Sequence, residues 1–311
     1  MTALQDVVGF TAELPGALHL PEVLLDLAVP HEDVNELLRH RDALAEPALR
    51  ALLGRAAGAV LREQGTPGQG LAPPVFPAET GSLGRCFPAF VFLAALPHTR
   101  SRHRELGVPE HVSRHSLADL GRQLAVHRRR TGTTGLSHPG WLTRHFRAEL
   151  YQLGRLQFEL RLVDADTAAS LRLAGAPVTE GQVVLSVHIP DFLGPFTPEA
   201  CEDSFTRARA FFPEHFPGGT ADLLICESWL LDPQLREYLP AHANIVSFQD
   251  RFAVVRAEEE PGDDTVVDFV FGSTEVPRHL LPRRTGLQRA VLDHLAAGGH
   301  WYPGLGWAPL G

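Results

Sequence analysis

Hydrophobic residues recur at three- and four-residue spacing from about residue 20 to about residue 130 of the chain. This spacing places leucine, valine and alanine side chains on one face of a helix. No strand pattern of any length precedes about residue 150, so this part of the chain is predicted to be helical. The predicted helices cover residues 21–27, 32–44, 47–62, 86–96 and 109–128, with a Gly- and Pro-rich loop over residues 65–84.

The pattern changes after about residue 140. A turn-rich connector over residues 128–140 and a short helix over 141–150 lead into runs that alternate or are rich in β-branched residues. Strands are predicted over residues 156–163, 183–189, 223–226, 244–248, 252–256 and 266–271. Helices are predicted over residues 198–216, 233–239 and 286–297, and the acidic run 258–264 is predicted to be a solvated hairpin loop.

The order of these elements indicates the fold class. The strand, helix and strand between residues 183 and 226 predict a parallel crossover in a mixed sheet, with the two strands as parallel neighbours. We therefore predict a helical N-terminal domain over residues 1–137 and a mixed-sheet domain of the α+β or α/β class over residues 138–311. A length of 311 residues agrees with two domains.

The charge of the chain excludes several classes of function. It has 28 basic and 37 acidic residues, a formal net charge of -9, which argues against nucleic acid or an anionic membrane as the main partner. Every basic residue is arginine. Mechanisms that need a lysine, such as Schiff-base chemistry or a Walker-type phosphate loop, are therefore excluded.

The three cysteines, Cys86, Cys201 and Cys226, are too few and too scattered for a disulfide framework. They indicate reduced thiols and predict a cytoplasmic protein. The N-terminus has no basic start followed by a long apolar run, and no apolar stretch approaches the roughly 20 residues of a membrane span. We therefore expect neither export nor membrane anchoring.

Familiar catalytic motifs are missing. His111 and His115 have the spacing of metal ligands on a helix, but valine follows the first histidine and nearby arginines repel a cation, so no metal site is predicted. The chain lacks the G-x-S-x-G elbow of serine hydrolases and the G-x-G-x-x-G turn of dinucleotide folds. The remaining candidate is the segment from residue 182 to residue 229.

A loop in this segment leads from a predicted strand into a helix that begins near Pro198. Backbone N–H groups at such a helix start suit a phosphate group, although Pro195 and Pro198 remove two of these donors. The candidate donors are Leu193, Gly194, Phe196 and Thr197. An ordinary strand-to-helix turn is an equally good interpretation of the pattern.

Polar residues end the two strands of the predicted crossover. His188 ends the first, and Glu227 and Ser228 end the second, at the edge where open α/β sheets bind ligands, so all three are candidate catalytic residues. Histidine accepts protons near neutral pH, so we favour His188 as general base, with Glu227 as its orienting partner or as an alternative base. Tyr238, on the following helix, is a candidate acid for a leaving thiolate. For each residue a purely structural role is the alternative.

Several segments of the chain resemble a known family. They include GVPEHVSRHSLADLGRQL, GLSHPGWLTRHF and LYQLGRLQFE in the first half, and VHIP, GPFTPEACEDSFTRARAFFPEHFP, SWLLDPQLREYLP and ANIVSFQDRF in the second. They follow one another in this order between residues 107 and 252. They are similar to the acyltransferase-domain proteins of actinobacteria, which join a helical N-terminal domain to a C-terminal domain of the GNAT type.

The resemblance implies an N-acyltransferase with no tightly bound cofactor and with acyl-coenzyme A as cosubstrate. It places the diphosphate on Leu193 to Thr197, the thioester between the ends of strands 183–189 and 223–226, and the thiolate acid at or near Tyr238. The usual Q/R-x-x-G-x-G/A cradle is absent, so a phosphopantetheine thioester on an acyl carrier protein stays open as donor. The acceptor implied is an amine of a small molecule or peptide, and the alternative function is a non-catalytic GNAT-like binding or regulatory module.

Overall fold

Residue contacts group the chain into two compact units, residues 1–151 and 152–311. The structure, a computed structural model, describes residues 12–62, 81–218, 222–256 and 260–311. Most of the predicted loop over residues 65–84 therefore lies outside the described residues. The domain boundary expected between residues 137 and 138 stays a prediction.

The described part of the first unit is helical up to a short final strand, which confirms the helical N-terminal prediction. Its helices are α1 (Leu20–Asp26), α2 (His31–Arg41), α3 (Pro47–Leu61), α4 (Gly81–Glu105), α5 (Glu110–Leu117), α6 (Asp119–Thr131) and α7 (Pro139–Phe146). The predicted helix over 32–44 ends at Arg41 and continues as a 3-10 turn, and the one over 109–128 is interrupted at Ala118. The helix predicted to reach residue 150 ends at Phe146.

Helix α4 forms the centre of the first unit. All residues from Cys86 to Leu96 are buried, so this segment is apolar around its whole circumference, as expected of a helix surrounded by others. Phe92 packs on Phe146 of α7 with ring centroids 4.8 Å apart. The core of this unit therefore depends on contacts on every side of α4.

Helix α6 approaches the end of α1 very closely at Gly121. The Gly121 N–H donates to the Leu27 carbonyl at 3.1 Å. A Cβ atom on Gly121 would lie 2.2 Å from the carbonyl carbon of Ala28. Only glycine fits this contact between the two backbones.

The second unit is built on a six-stranded mixed sheet, which confirms the predicted fold class. Its strands are β1 (Leu150–Leu153), β2 (Leu156–Leu162), β3 (Val183–His188), β4 (Leu223–Ser228), β5 (Ala253–Arg256) and β6 (Gly304–Pro309), in the order β1-β2-β3-β4-β6-β5. Strands β3 and β4 are parallel neighbours, as predicted. The β2–β3, β4–β6 and β5–β6 pairs are antiparallel.

Two predicted strands are wrong, because both segments are helices. They are α10 (Asn244–Gln249) and α11 (Asp263–Phe271). Asp263 and Asp264 occupy the first turn of α11, where negative charge stabilises a helix N-terminus. The predicted hairpin loop over 258–264 is also wrong, because α11 begins inside this segment. Residues 258 and 259 of the predicted loop lie outside the described part of the chain.

The other helices of this unit are α8 (Ala165–Leu173), which the sequence pattern missed, α9 (Pro198–His215) and α12 (Gly286–Ala296). The predicted helix over 233–239 is a 3-10 turn over Pro233–Glu237. Helix α9 covers one face of the sheet, where Phe158 contacts Phe205 at 5.8 Å between ring centroids. Helix α8 covers part of the opposite face through Ala168 and Leu171, which share a buried cluster with Val184 and Ile225.

The three cysteines are buried and free. Burial raises the pKa of the Cys86 and Cys226 thiols to about 12. None of the helices in the described ranges is long and apolar enough to cross a membrane. The cytoplasmic location stays a prediction.

Candidate active site

His188 is the last residue of β3 and lies against a carboxylate of β2. Its Nε2 atom is 2.7 Å from Oε2 of Glu159. The register that pairs Ser186 with Glu159 brings the two side chains to the same face of the sheet, because alternate residues of a strand share a face. When Glu159 holds a hydrogen on Nε2, the neutral ring keeps its lone pair on Nδ1. The pair can therefore orient the imidazole as a general base.

Glu227 lies close to His188 in the sheet but has a different partner. The β3–β4 register, continued by two residues, places Glu227 level with His188. Its Oε2 atom is 3.5 Å from Nη1 of Arg161, and its side chain is 44% exposed. The predicted partner Glu227 thus pairs with Arg161, whereas Glu159 is a carboxylate in contact with the His188 ring. Glu159, Arg161, His188 and Glu227 form a polar cluster on the face that α8 partly covers.

Ser228 and Tyr238 make contacts that stabilise the surrounding fold. The Ser228 Oγ atom accepts from the Leu230 N–H at 3.1 Å and caps the short 3-10 turn that follows β4. The Tyr238 hydroxyl is 3.1 Å from Nδ1 of His294 on α12. In the described part of the chain, this hydroxyl bonds to neither His188 nor the loop before α9. The catalytic roles of Ser228 and Tyr238 stay predictions.

The loop before α9 contains two successive residues in the left-handed backbone conformation. We call Leu193, Gly194, Phe196 and Thr197 the cradle, after their predicted role. Leu193 and Gly194 both adopt positive φ, at 74° and 81°. Thr197 caps α9 by accepting from the Ala200 N–H at 3.2 Å. Within the described residues, the four cradle N–H groups donate to no protein acceptor, so they are available to an anion.

One arginine that the sequence analysis did not single out lies under this loop. Arg155, in the turn between β1 and β2, donates from Nε to the Gly194 carbonyl at 3.2 Å. Its guanidinium lies over the Phe196 ring, 5.4 Å from the centroid. No pattern in the sequence marks this contact, because it joins residues 39 positions apart.

His111 and His115 lie side by side on α5, with ring centroids 6.5 Å apart. Among the described residues, no group of three His, Cys, Asp or Glu side chains is placed to hold a metal ion. The candidate site is therefore the polar cluster together with the cradle.

Two family models match the chain. The model of an N-acyltransferase N-terminal domain matches residues 19–148, and that of a GNAT-like C-terminal domain matches residues 150–308. No curated protein sequence matches in a separate comparison.

Three solved structures of an acyltransferase are similar to the chain, and each match covers 96% of this chain and 90% of the other. The structure in complex with decanoyl-CoA is 37% identical with a TM-score of 0.86. The complex with decanoyl-CoA and teicoplanin is 36% identical with a TM-score of 0.85. The complex with CoA and 10C-teicoplanin is 36% identical with a TM-score of 0.86.

Proposed function

The chain belongs to the family that joins an N-acyltransferase N-terminal domain to a GNAT-like C-terminal domain and is an acyltransferase, and we propose that it moves an acyl group from acyl-coenzyme A to an amine of a small molecule or peptide. The observation that carries this proposal is the match, over nearly the whole chain, to an acyltransferase in complex with decanoyl-CoA. The sequence left open a non-catalytic binding or regulatory module as the alternative function. That alternative is set aside, because the chain is an acyltransferase.

The cradle is the proposed binding site for the donor's diphosphate. Its four unpaired N–H groups lie in the loop that ends at Thr197, the N-cap of α9, an 18-residue helix whose dipole favours negative charge at this end. Acyl-coenzyme A is therefore the proposed donor. An acyl carrier protein, which presents the same phosphopantetheine arm, is the competing donor to be tested.

The polar cluster supports direct transfer without an acyl-enzyme. In the proposed reaction, His188 takes a proton from the acceptor's amino group as its nitrogen attacks the thioester carbonyl. The carbon–nitrogen bond forms, the carbon–sulfur bond breaks, and the leaving thiolate takes up a proton to give free coenzyme A. Tyr238 is the proposed source of that proton. Glu159 holds the His188 ring in place, and Glu227 is the alternative base.

The acceptor is proposed to be an amine on a peptide-like molecule, since two of the similar acyltransferase structures contain teicoplanin or 10C-teicoplanin. The test is to incubate the protein with decanoyl-CoA and a panel of amines that begins with a teicoplanin-type glycopeptide. We expect one free thiol per acylated product, measured by thiol release and mass spectrometry. A panel that yields no product, together with no binding of any acyl-coenzyme A by calorimetry, would contradict the proposal. Decanoyl-acyl carrier protein, run in parallel, identifies the donor.

Replacing Gly194 with valine is expected to weaken binding of coenzyme A about tenfold, or about 1.4 kcal/mol. A Cβ at this position points into open space beside the cradle, where the donor is proposed to bind, and valine strains a φ of +81°. The measurement is the Kd by calorimetry. Gly175→Val is the matched control: it has a φ of +79° and open space around its Cβ, but lies at the end of α8. Equal affinities in both variants would place the donor elsewhere.

Replacing Glu159 with glutamine is expected to lower kcat about tenfold while leaving KM for acyl-coenzyme A unchanged. The amide keeps a polar group beside His188 but removes the charge that stabilises the imidazolium formed in the reaction. The pH profile of kcat should also change, because the charged partner of the base is lost. An unaltered profile with unaltered kcat would assign Glu159 to the fold alone.

A further inference from the structure

Arg155 is an unusually buried cation. Its residue is 8% exposed, and its Nη1 atom is buried with no hydrogen-bond partner. In the described part of the chain, no carboxylate lies within ion-pairing distance of its guanidinium. A buried charge without an ion-pair partner is costly, and an anion bound beside it would offset that cost.

The guanidinium is placed beside the cradle and the first turn of α9. Besides its contacts with Gly194 and Phe196, its positive charge acts on Cys201 in that turn. Burial lowers the pKa of Arg155, while the negative charge of Asp191 acts in the opposite direction. Arg251 also acts on Cys201, but it is paired with Glu202. Within the described residues, Arg155 thus forms no ion pair, in contrast to Arg251, although the charge of Asp191 acts on it.

We propose that Arg155 supplies the counter-charge for the diphosphate of the acyl-coenzyme A donor and holds the cradle in its binding conformation. This inference rests on the proposed function. It also accounts for the missing Q/R-x-x-G-x-G/A motif. Pro195 and Pro198 supply no N–H donors to this segment, and a cation from the β1–β2 turn adds positive charge to the same loop. The chain as a whole carries a net charge of -9, so a polyanionic donor needs such local compensation.

The side chain can be replaced without removing the contacts that hold its own turn. The backbone N–H groups of Arg155 and Leu156 donate to Oγ of Ser204 on α9, at 2.7 and 3.2 Å. These contacts do not involve the guanidinium. Arg155→Met, which keeps an unbranched apolar stem, is therefore expected to fold, and thermal unfolding checks this.

The test compares three donors: decanoyl-CoA, decanoyl-dephospho-CoA and decanoyl-pantetheine. Only the first two carry a diphosphate. Calorimetry on the full chain should show Arg155→Met raising the Kd of both about tenfold to hundredfold, the usual range for a hydrogen bond to a charged group. The Kd of decanoyl-pantetheine should not change. Arg155→Lys, which keeps the charge, should restore much of the affinity.

Arg207→Met is the matched control, because it removes an exposed cation from α9 that pairs with Asp203. It should leave all three affinities unchanged. Equal losses for all three donors in Arg155→Met, or no loss for any, would overturn the inference. A loss confined to decanoyl-CoA would assign the charge to the 3′-phosphate and also overturn it. If the unaltered protein binds none of the donors, the proposed function itself fails.

Discussion

His188→Ala is expected to lower kcat about 10²- to 10⁴-fold, the usual contribution of a general base. The Kd for acyl-coenzyme A should stay nearly unchanged, since His188 ends β3 on the sheet and is not part of the cradle. The loss should therefore appear in kcat and in kcat/KM alike, as for an interaction made only in the transition state. Steady-state kinetics and calorimetry together measure both quantities.

Glu227→Gln provides the comparison for His188→Ala. Glu227 is the alternative base and lies near the end of β4. Its carboxylate pairs with Arg161, and its side chain is partly exposed. We expect at most a small change in kcat from this variant. If His188→Ala keeps near-normal turnover while Glu227→Gln loses it, the two roles are reversed. If neither variant matters, the base lies elsewhere.

Gly121→Ala is expected to destabilise the protein by about 3 kcal/mol or more. In an exposed helix interior this change is usually stabilising by up to about 1 kcal/mol, because alanine is the better helix former. Here the added Cβ would lie 2.2 to 2.4 Å from backbone atoms of Ala28 and Leu27, which cannot move aside as a flexible side chain can. The hydrogen bond from Gly121 to Leu27 would be lost as the helices separate.

Urea unfolding followed by circular dichroism measures this change. Gly286→Ala, in α12, is the control, since its Cβ would make only an ordinary contact of 3.8 Å with Leu239. It should stay within about 1 kcal/mol of the unaltered protein. A Gly121→Ala variant as stable as this control would show that α1 and α6 do not approach as closely as described.

The elements that the sequence predicted well are those whose pattern is long or is fixed by local chemistry. Helix α9 begins at a proline with Thr197 as its cap, and its predicted and observed ends differ by one residue. Short β-branched runs are ambiguous between strand and helix, which explains the errors at α10 and α11. Strand β6 was missed because Gly304 and Gly306 are poor strand formers. Both are needed there, since a Cβ on either would lie within 3 Å of Leu231.

The candidate site likewise contains residues that the sequence could identify and residues that it could not. His188 could be placed from the sequence because it follows a clear run of strand residues that ends in proline. Its partner Glu159 could not, because the choice depends on which residues of β2 and β3 face each other. Arg155 belongs to a turn, and its contact with Gly194 depends on how β1 and β2 pack against the loop before α9. The sequence identifies which residues can carry out chemistry. Which side chains contact each other depends on the strand register and packing of the folded sheet.

Strand β6 has a consequence for how the second unit is assembled during synthesis. It lies between β4 and β5 in the sheet but follows both in the chain. When β5 leaves the ribosome, the place beside β4 is still empty, and β5 has no strand to join. A nascent chain must therefore keep β5 unpaired through the synthesis of α11 and α12, and only the arrival of β6 completes the sheet. Such late, long-range pairing slows folding and exposes an unpaired strand to other chains.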